Sequence, residues 1–424
     1  MKIREIWVMC NGPKYRYIAA NILVSLASFA RNLLFMKTLN LAALGQIALM
    51  QTLVMLIGFA QLGLINGAYI EYSAGDRATN RRIVNLLTVG VLCLVPIAVL
   101  IMLVVYLGGF HSNMLLSATL GIGLATGIAT LASTWMNNLL VADNALAKSN
   151  TINIGAVGLS VVVALLSRPY GLKMALFSMF VQPLVVIVAA LLSSPNLRPH
   201  SLRVDWGILR KVAELGWIPF LSMLMALGMH QIERWSIATI LGTEALGRFY
   251  IVLMFTTFFA LIPAALANVF FPQAKRAYRA GNAEIFQTTI RRHARDLFIY
   301  FALAIVITFT FMTHVVAYLM PGALQGASLV YYALIWLVLF SARDTASLVL
   351  FSTGRMRDLL VAGLLTLAVF VTEIAILWGT GRFSLTTDLL ARGIATLPGT
   401  VLLYFGRRRQ MKEYREQLVD SAAA

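Results

Sequence analysis

Charged residues are scarce in this sequence. Asp, Glu, Lys and Arg make up 12% of its 424 residues, whereas 60% are hydrophobic, and the mean hydropathy is +0.82. A soluble domain is roughly a quarter charged, and a chain of this length has too much surface to be covered by so few polar groups. The composition therefore excludes a soluble enzyme and a disordered chain, and it indicates a membrane protein.

Cysteine is nearly absent, since Cys10 and Cys93 are the only two in the chain. The first precedes the first apolar run and the second lies inside the third, so we expect no disulfide. The sequence also has no metal-ligand cluster, nucleophile triad or phosphate-binding glycine loop, and the connections predicted to lie outside are short. These absences disfavour a membrane enzyme such as a glycan polymerase or a glycosyltransferase.

Long apolar runs dominate what is present. A membrane-spanning helix needs about 20 apolar residues, and backbone groups in lipid must be satisfied within the segment, so each such run is expected to be helical. Twelve runs qualify: 18–36, 46–68, 83–107, 115–140, 151–167, 173–192, 216–240, 248–270, 297–319, 328–352, 359–378 and 386–405. The first run is too long for a cleaved signal peptide.

Acidic residues are half as frequent as basic ones, at 17 against 34, which gives a net charge of +17. If the N-terminus is cytoplasmic, 25 basic residues fall on the cytoplasmic side, 5 outside and 4 within spans. Cytoplasmic loops of membrane proteins carry the excess of Lys and Arg. The bias predicts that both termini are cytoplasmic, and it accounts for a charge that would otherwise suggest a nucleic-acid partner.

The twelve spans divide into two halves. We predict four segments: an N-terminal six-helix bundle (1–192), a cytoplasmic linker with an amphipathic helix (193–215), a C-terminal six-helix bundle (216–406) and a basic tail (407–424). Asp205 is the expected N-cap of the linker helix. A weak repeat, Ala-Leu-Gly at 43–45 and again at 245–247, favours duplication. The expected fold is an all-α polytopic membrane protein whose bundles are related by a pseudo-two-fold axis along the membrane normal and enclose a central cavity.

Several polar residues lie inside the spans, where a charge facing lipid costs about 2.5–3.5 kcal/mol. They must therefore face protein or a wet cavity. Polar residues recur at helical spacing in span 4, at Thr126, Thr130, Ser133 and Asn137, and in span 1, at Asn21, Ser25, Ser28 and Asn32 beside Arg31. The alternative is a set of internal ion pairs: Glu233 with Arg31, Arg343 with Asp388, and Asp344 with Arg392. Gly123 and Gly127 form a GxxxG pattern that favours close helix packing.

Two regions carry a family resemblance. The first has Arg31 late in span 1, a short outer turn at Leu39–Gly45, and Leu62-Gly63-Leu64 at the end of span 2. The second has Gly216-Trp217-Ile218-Pro219 opening span 7, Glu233-Arg234 within it, Leu241-Gly242 and Leu246–Tyr250 in the outer turn, and Phe271-Pro272 closing span 8. These features resemble the polysaccharide (O-antigen repeat-unit) flippases of the multidrug/oligosaccharidyl-lipid/polysaccharide (MOP) exporter superfamily.

The resemblance implies a transporter of the bacterial inner membrane. It would move undecaprenyl-diphosphate-linked oligosaccharide from the cytoplasmic to the periplasmic leaflet by alternating access, for assembly of O-antigen, capsule or exopolysaccharide. A polysaccharide polymerase and a chain-length regulator are the implied protein partners, and neither a cofactor, a metal nor a nucleic acid is expected.

The intramembrane residues then take roles in that transport. Arginine suits a diphosphate because it donates bidentate hydrogen bonds, and Ser and Asn side chains suit a glycan. The predicted substrate-binding residues are Arg31, Arg234, Arg343, Arg392, Asn32, Ser28 and Asn137. The candidates for a coupling cation or for structural ion pairs are His230, Glu233, Asp344 and Asp388.

Two other transporter classes remain as alternatives. A cation-coupled drug antiporter of the same superfamily would need carboxylates in the first half. The predicted spans of that half contain Arg31 and no acidic residue. A major-facilitator transporter would carry a glycine- and arginine-rich pattern between spans 2 and 3. The segment Gly75–Arg82 is one residue too long for that pattern and lacks its second glycine.

Overall fold

The computed structural model describes residues 13–74, 76–107, 114–143, 145–319, 327–353 and 355–423. These residues form helices joined by short connections, and no β-strand occurs among them. The first helices are α1 (Pro13–Thr38), α2 (Leu41–Phe59), α3 (Leu64–Ala74), α4 (Arg77–Leu107), α5 (Met114–Ala142), α6 (Leu146–Leu165), α7 (Ser167–Tyr170) and α8 (Leu172–Ser193). After a 3₁₀ turn at Pro195–Leu197 come α9 (Trp206–Ser236), a π-helical turn (Ile237–Leu241), α10 (Thr243–Arg279), α11 (Ala283–Leu319), α12 (Ala327–Thr353), α13 (Met356–Gly379) and α14 (Leu385–Ala423).

The all-α membrane fold expected from the composition is confirmed. Eleven helices in the described part of the chain are long and apolar enough to cross a membrane. The predicted seventh span lies in α9 and is not among the eleven. It carries His230, Glu233 and Arg234.

The second predicted span, 46–68, is wrong as a single helix. The structure ends α2 at Phe59 and begins α3 at Leu64. Between them Leu62 and Gly63 have φ values of 47° and 82°, a left-handed conformation that a right-handed helix cannot pass through. Gly63 also lies against α9, where a Cβ would come within 2.6 Å of the Gly216 carbonyl oxygen. A residue without a side chain meets both requirements.

The chain separates into two compact units, Met1–Leu224 and Met225–Ala424. The division falls inside α9, so the expected linker helix and the seventh span are one continuous helix. The side-chain oxygen Oδ1 of Asp205 accepts hydrogen bonds from the backbone N–H groups of Gly207 (2.9 Å) and Ile208 (3.2 Å). This confirms Asp205 as the N-cap of α9, whereas the boundaries 192/193, 215/216 and 406/407 stay predictions.

Close helix packing organises the first unit. A Cβ added to Gly123 or Gly127 of α5 would come within 2.9 Å of Leu53 or 2.8 Å of Ile57 in α2. The GxxxG pattern therefore serves helix packing, as predicted. The core continues through Trp135 and reaches Val212 in the first half of α9, which is fully buried.

The second unit is centred on α12, which packs against α10, α11 and α14. The repeated Ala-Leu-Gly segment lies at the start of α10 in this unit and at the start of α2 in the first unit. The corresponding leucines, Leu44 and Leu246, both lie in the first turn of their helix and are fully buried. The likeness ends there, because α10 runs unbroken through positions that correspond to the α2–α3 break. The repeat is therefore retained at the helix starts and lost at the break.

Candidate functional site

The first unit contains a polar cavity of about 380 Å³. The four polar residues that span 4 presents at helical spacing, Thr126, Thr130, Ser133 and Asn137, all line it. Arg31 is its only charged lining residue among those that the structure describes. The cavity thus combines one cation with hydroxyl and amide groups.

Neighbouring helices hold Arg31 in place. The guanidinium Nη1 donates to Ser160 Oγ on α6 (2.5 Å) and to Gln182 Oε1 on α8 (2.9 Å). Ser160 Oγ in turn donates to the Ser178 carbonyl oxygen (2.8 Å). Arg31 is 7% exposed, and both of these partners are neutral. Its positive charge is therefore fixed in position at the wall of the cavity.

Asn137 belongs to a hydrogen-bond network between α5 and α6. Its Oδ1 accepts from Ser149 Oγ (2.5 Å) and from Asn153 Nδ2 (2.8 Å). The network fixes the position of the Asn137 side chain at the wall of the cavity. Ser28 and Asn32, also predicted to bind substrate, are half-buried on α1 and are not among the residues that line it.

The second unit brings three predicted site residues together. Arg392 on α14 forms an ion pair with Glu233 on α9 and a hydrogen bond of 2.7 Å to His230 Nδ1. Its guanidinium carbon lies 3.6 Å from the centre of the Trp336 ring on α12. Glu233 is fully buried and Arg392 is 2% exposed. The pairing expected for Arg392, with Asp344, is wrong: Glu233 is its partner.

Carboxylate oxygens around this cluster lack partners. Both oxygens of Asp388, one helical turn before Arg392, and Oε1 of Glu233 are buried and accept no hydrogen bond from any described residue. Buried polar atoms are normally satisfied by protein, water or an ion. The described residues therefore leave three buried carboxylate oxygens without a hydrogen-bond donor.

A larger cavity of about 730 Å³ lies in the same unit. Asp344 is its only acidic lining residue among those described, and His230 and Trp336 join it. The other aromatic residues that line it are Phe271, Phe340 and Phe351. An anionic group among aromatic rings favours a neutral or cationic ligand.

The two remaining arginines stand outside these cavities. Arg343 contacts the Phe340 ring, 5.2 Å from its centroid, and donates to Thr366 Oγ1 at 3.5 Å. No ion pair joins Arg343 to Asp388 in the described part of the chain, so that expected pairing is wrong. Arg234 is 5% exposed and follows Glu233 on α9.

The neutral hydrogen-bond partners of Arg31 and Asn137 were not predicted from the sequence. Ser160, Gln182 and Asn153 are uncharged polar residues in the apolar spans 5 and 6. Their presence at membrane depth was the available signal. Trp336 carried no such signal in the sequence, because tryptophan is common in apolar helices.

Comparison with known proteins places the fold. Neither a protein-family model nor a curated protein matches the sequence. Among solved structures, a multidrug resistance MATE family transporter of the MOP superfamily, in an inward-facing conformation, matches with a TM-score of 0.77 at 14% identity, over 93% of this chain and 96% of that one. The lipid II flippase MurJ, in an inward closed conformation, matches with a TM-score of 0.73 at 13% identity, over 95% and 90%.

A third similar structure is a MOP superfamily transporter from Pyrococcus furiosus, with a TM-score of 0.62 at 15% identity, over 95% of this chain and 97% of that one. That protein is described as having a binding pocket of reverse polarity, which suggests a different function. All three are transporters or flippases of one architecture. The chain therefore has the fold of the MOP superfamily transporters.

Proposed function

We propose that this protein is a flippase for undecaprenyl-diphosphate-linked oligosaccharide, moving it from the cytoplasmic to the periplasmic leaflet of a bacterial inner membrane. The observation that carries the proposal is the Arg31 cavity, in which one fixed cation stands among hydroxyl and amide groups and no described lining residue is acidic. The lipid II flippase MurJ has a similar fold, which supports the proposal.

The chemistry of the substrate fits that lining. A lipid-linked sugar presents a diphosphate, for which an arginine supplies charge-assisted hydrogen bonds. Its glycan presents hydroxyl groups, for which Thr126, Thr130 and Asn137 are matching partners. A cationic drug would be repelled by the same arginine. The sign of the charge in the first unit therefore favours an anionic lipid.

Coupling belongs, in this proposal, to the second unit. The unsatisfied oxygens of Glu233 and Asp388 next to Arg392 would take up a proton or a monovalent cation. The membrane potential contributes as well, because an outward-moving dianion gains about 4–5 kcal/mol at roughly 100 mV. In proteoliposomes, transport that is unaffected by collapse of both the potential and the ion gradients would exclude this coupling.

Replacing Arg31, the cation of the cavity, tests the proposed function. We expect Arg31→Gln to abolish repeat-unit export and transfer of a fluorescent lipid-linked oligosaccharide in vesicles, while the protein still inserts in the membrane. Arg234→Ala is expected to abolish export too. The matched control is Arg382→Gln, an exposed arginine in the turn before α14. Normal export in the Arg31 variant would overturn the proposal.

A second candidate function has an observation of its own. The cavity around Asp344 has one carboxylate among aromatic rings, a setting that suits an organic cation. The MATE transporter of similar fold is a multidrug resistance protein. A cation-coupled drug antiporter would lose efflux of a fluorescent organic cation in Asp344→Asn and keep it in Arg31→Gln, which is the reverse of the flippase pattern.

A further inference from the structure

An apolar groove of about 690 Å³ lies in the first unit, on the other side of α5 from the Arg31 cavity. Its walls are α4, α5 and α8, and its residues include Val95, Val99 and Ala125. Thr88 is the one hydroxyl residue among those that line it, and that hydroxyl donates to the Val84 carbonyl oxygen. Val99 is 62% exposed on a membrane-spanning helix, so the groove opens toward lipid.

The groove is long enough to hold a hydrocarbon chain that spans one leaflet. Its wall on α4 runs from Thr88 to Met102, a rise of about 21 Å at 1.5 Å per residue. Half of a typical hydrocarbon core is about 15 Å. A single acyl chain therefore fits along the groove, whereas an undecaprenyl chain is far longer than the wall.

A fixed cation stands at one end. Leu191, Leu197 and Pro199 line the groove there, and Arg198 lies between the last two. Its Nε donates to the Leu191 carbonyl oxygen at 2.8 Å, and its Nη2 to that of Leu192 at 3.4 Å.

Lys148 reinforces the charge at that end. Its Nζ donates to the Ser193 carbonyl oxygen at 2.8 Å, in the last turn of α8. Neither Lys148 nor Arg198 forms an ion pair with any described residue. Asn85 fixes the loop beside them, since its Oδ1 accepts from the His200 backbone N–H at 2.9 Å. Arg198 and the loop that Asn85 holds thus form the rim of the groove, and Lys148 adds a second cation at the same end of α8.

We propose that this groove binds one acyl chain of an anionic phospholipid, whose phosphate is held by Arg198 and Lys148. The rim lies at the end of the unit that the charge bias predicts to be cytoplasmic, where anionic lipids are enriched. Arg198 uses two of its nitrogens to hold its place on α8 and is exposed, so its remaining N–H groups are accessible to a phosphate. The site is separate from the transported substrate and does not depend on the proposed function.

The experiment uses the full chain in nanodiscs of phosphatidylglycerol and phosphatidylcholine, with a photoreactive group on one acyl chain of either lipid. Phosphatidylglycerol is expected to crosslink to α4 and α5 at Val95, Val99 and Ala125. Arg198→Gln should lower that crosslinking about fivefold. Arg203→Gln, an exposed arginine of the same connection that does not line the groove, should leave it unchanged.

A second pair of variants tests the groove itself. Ala125→Trp fills the groove and should abolish the crosslink, whereas Val162→Trp, at a position 59% exposed on α6, should keep it. Thermal unfolding checks that both variants fold. Equal crosslinking of phosphatidylcholine, or equal effects of the Arg198 and Arg203 variants, would overturn the proposal. Displacement of phosphatidylglycerol by an equimolar polyprenyl diphosphate would also overturn it, by assigning the groove to the carrier lipid.

Discussion

Arg392 and Trp336 lie face to face inside the second unit, with the guanidinium carbon 3.6 Å from the ring centre. Glu233 completes the arrangement with an ion pair to the same guanidinium. The three residues come from α14, α12 and α9, so one buried cation joins three helices. A charge at this depth is tolerated only because an anion, an aromatic face and a histidine nitrogen surround it.

Removing that cation should destabilise the protein strongly. Arg392→Met removes the ion-pair partner of the fully buried Glu233, so we expect a loss of about 3–5 kcal/mol in the free energy of unfolding. The double variant Glu233→Gln/Arg392→Met should lose less than the sum of the single variants. Thermal and denaturant unfolding in detergent measure the difference, with Arg382→Gln as the exposed control. Strict additivity would show that the pair does not interact.

The packing of α3 against α9 predicts a large effect from a single methyl group. A Cβ on Gly67 would lie 1.8 Å from the Val212 carbonyl oxygen, which is backbone and cannot rotate away. We therefore expect Gly67→Ala to destabilise the first unit by about 1–3 kcal/mol or more.

Gly90→Ala is the matched control for that variant. Apart from the backbone of α4 itself, no described atom lies within 4 Å of a Cβ at Gly90, which is in the interior of that helix. Alanine there is expected to be neutral or to stabilise the helix by up to about 1 kcal/mol. Equal unfolding temperatures for the two variants would contradict the close packing.

The helical periodicity of the polar residues in span 4 accounts for the part of the first cavity that can be predicted from the sequence. Residues 126, 130, 133 and 137 fall on one helix face whatever surrounds them, so their shared cavity follows from spacing alone. The partners of a buried charge cannot be predicted from spacing. Arg392 and Glu233 are far apart in sequence, and their pairing depends on how α9 and α14 pack. The break after Phe59 was hidden for another reason: Leu62 and Gly63 interrupt the helix without interrupting the apolar run.

Gln182, one of the neutral hydrogen-bond partners of Arg31, offers a test of the cavity charge alone. Gln182→Glu keeps the size of the side chain and places a carboxylate at the position of an oxygen 2.9 Å from the guanidinium. The cavity then loses its net positive charge, so we expect transfer of an anionic lipid-linked sugar to fall at least about tenfold with no loss of thermal stability. Gln182→Met separates charge from the lost hydrogen bond and should retain more transport. Full activity of the Glu variant would show that the cavity charge does not select the substrate.

The start of α9 should respond to acid. Hydrogen bonds from the backbone N–H groups of Ile208 and Gly207, together with the charge of Arg82, lower the pKa of Asp205 below its usual value. A carboxyl whose pKa is depressed by folding stabilises the folded state above its unfolded pKa of about 3.9, and the contribution is lost as the pH falls through the folded pKa. Hydrogen exchange at Gly207 and Ile208 should therefore lose protection between about pH 5 and about pH 2, after correction for intrinsic rates. In Asp205→Asn the cap does not titrate, so its protection should not change over that interval. Loss of protection to the same extent in both proteins would mean that another group controls the acid response.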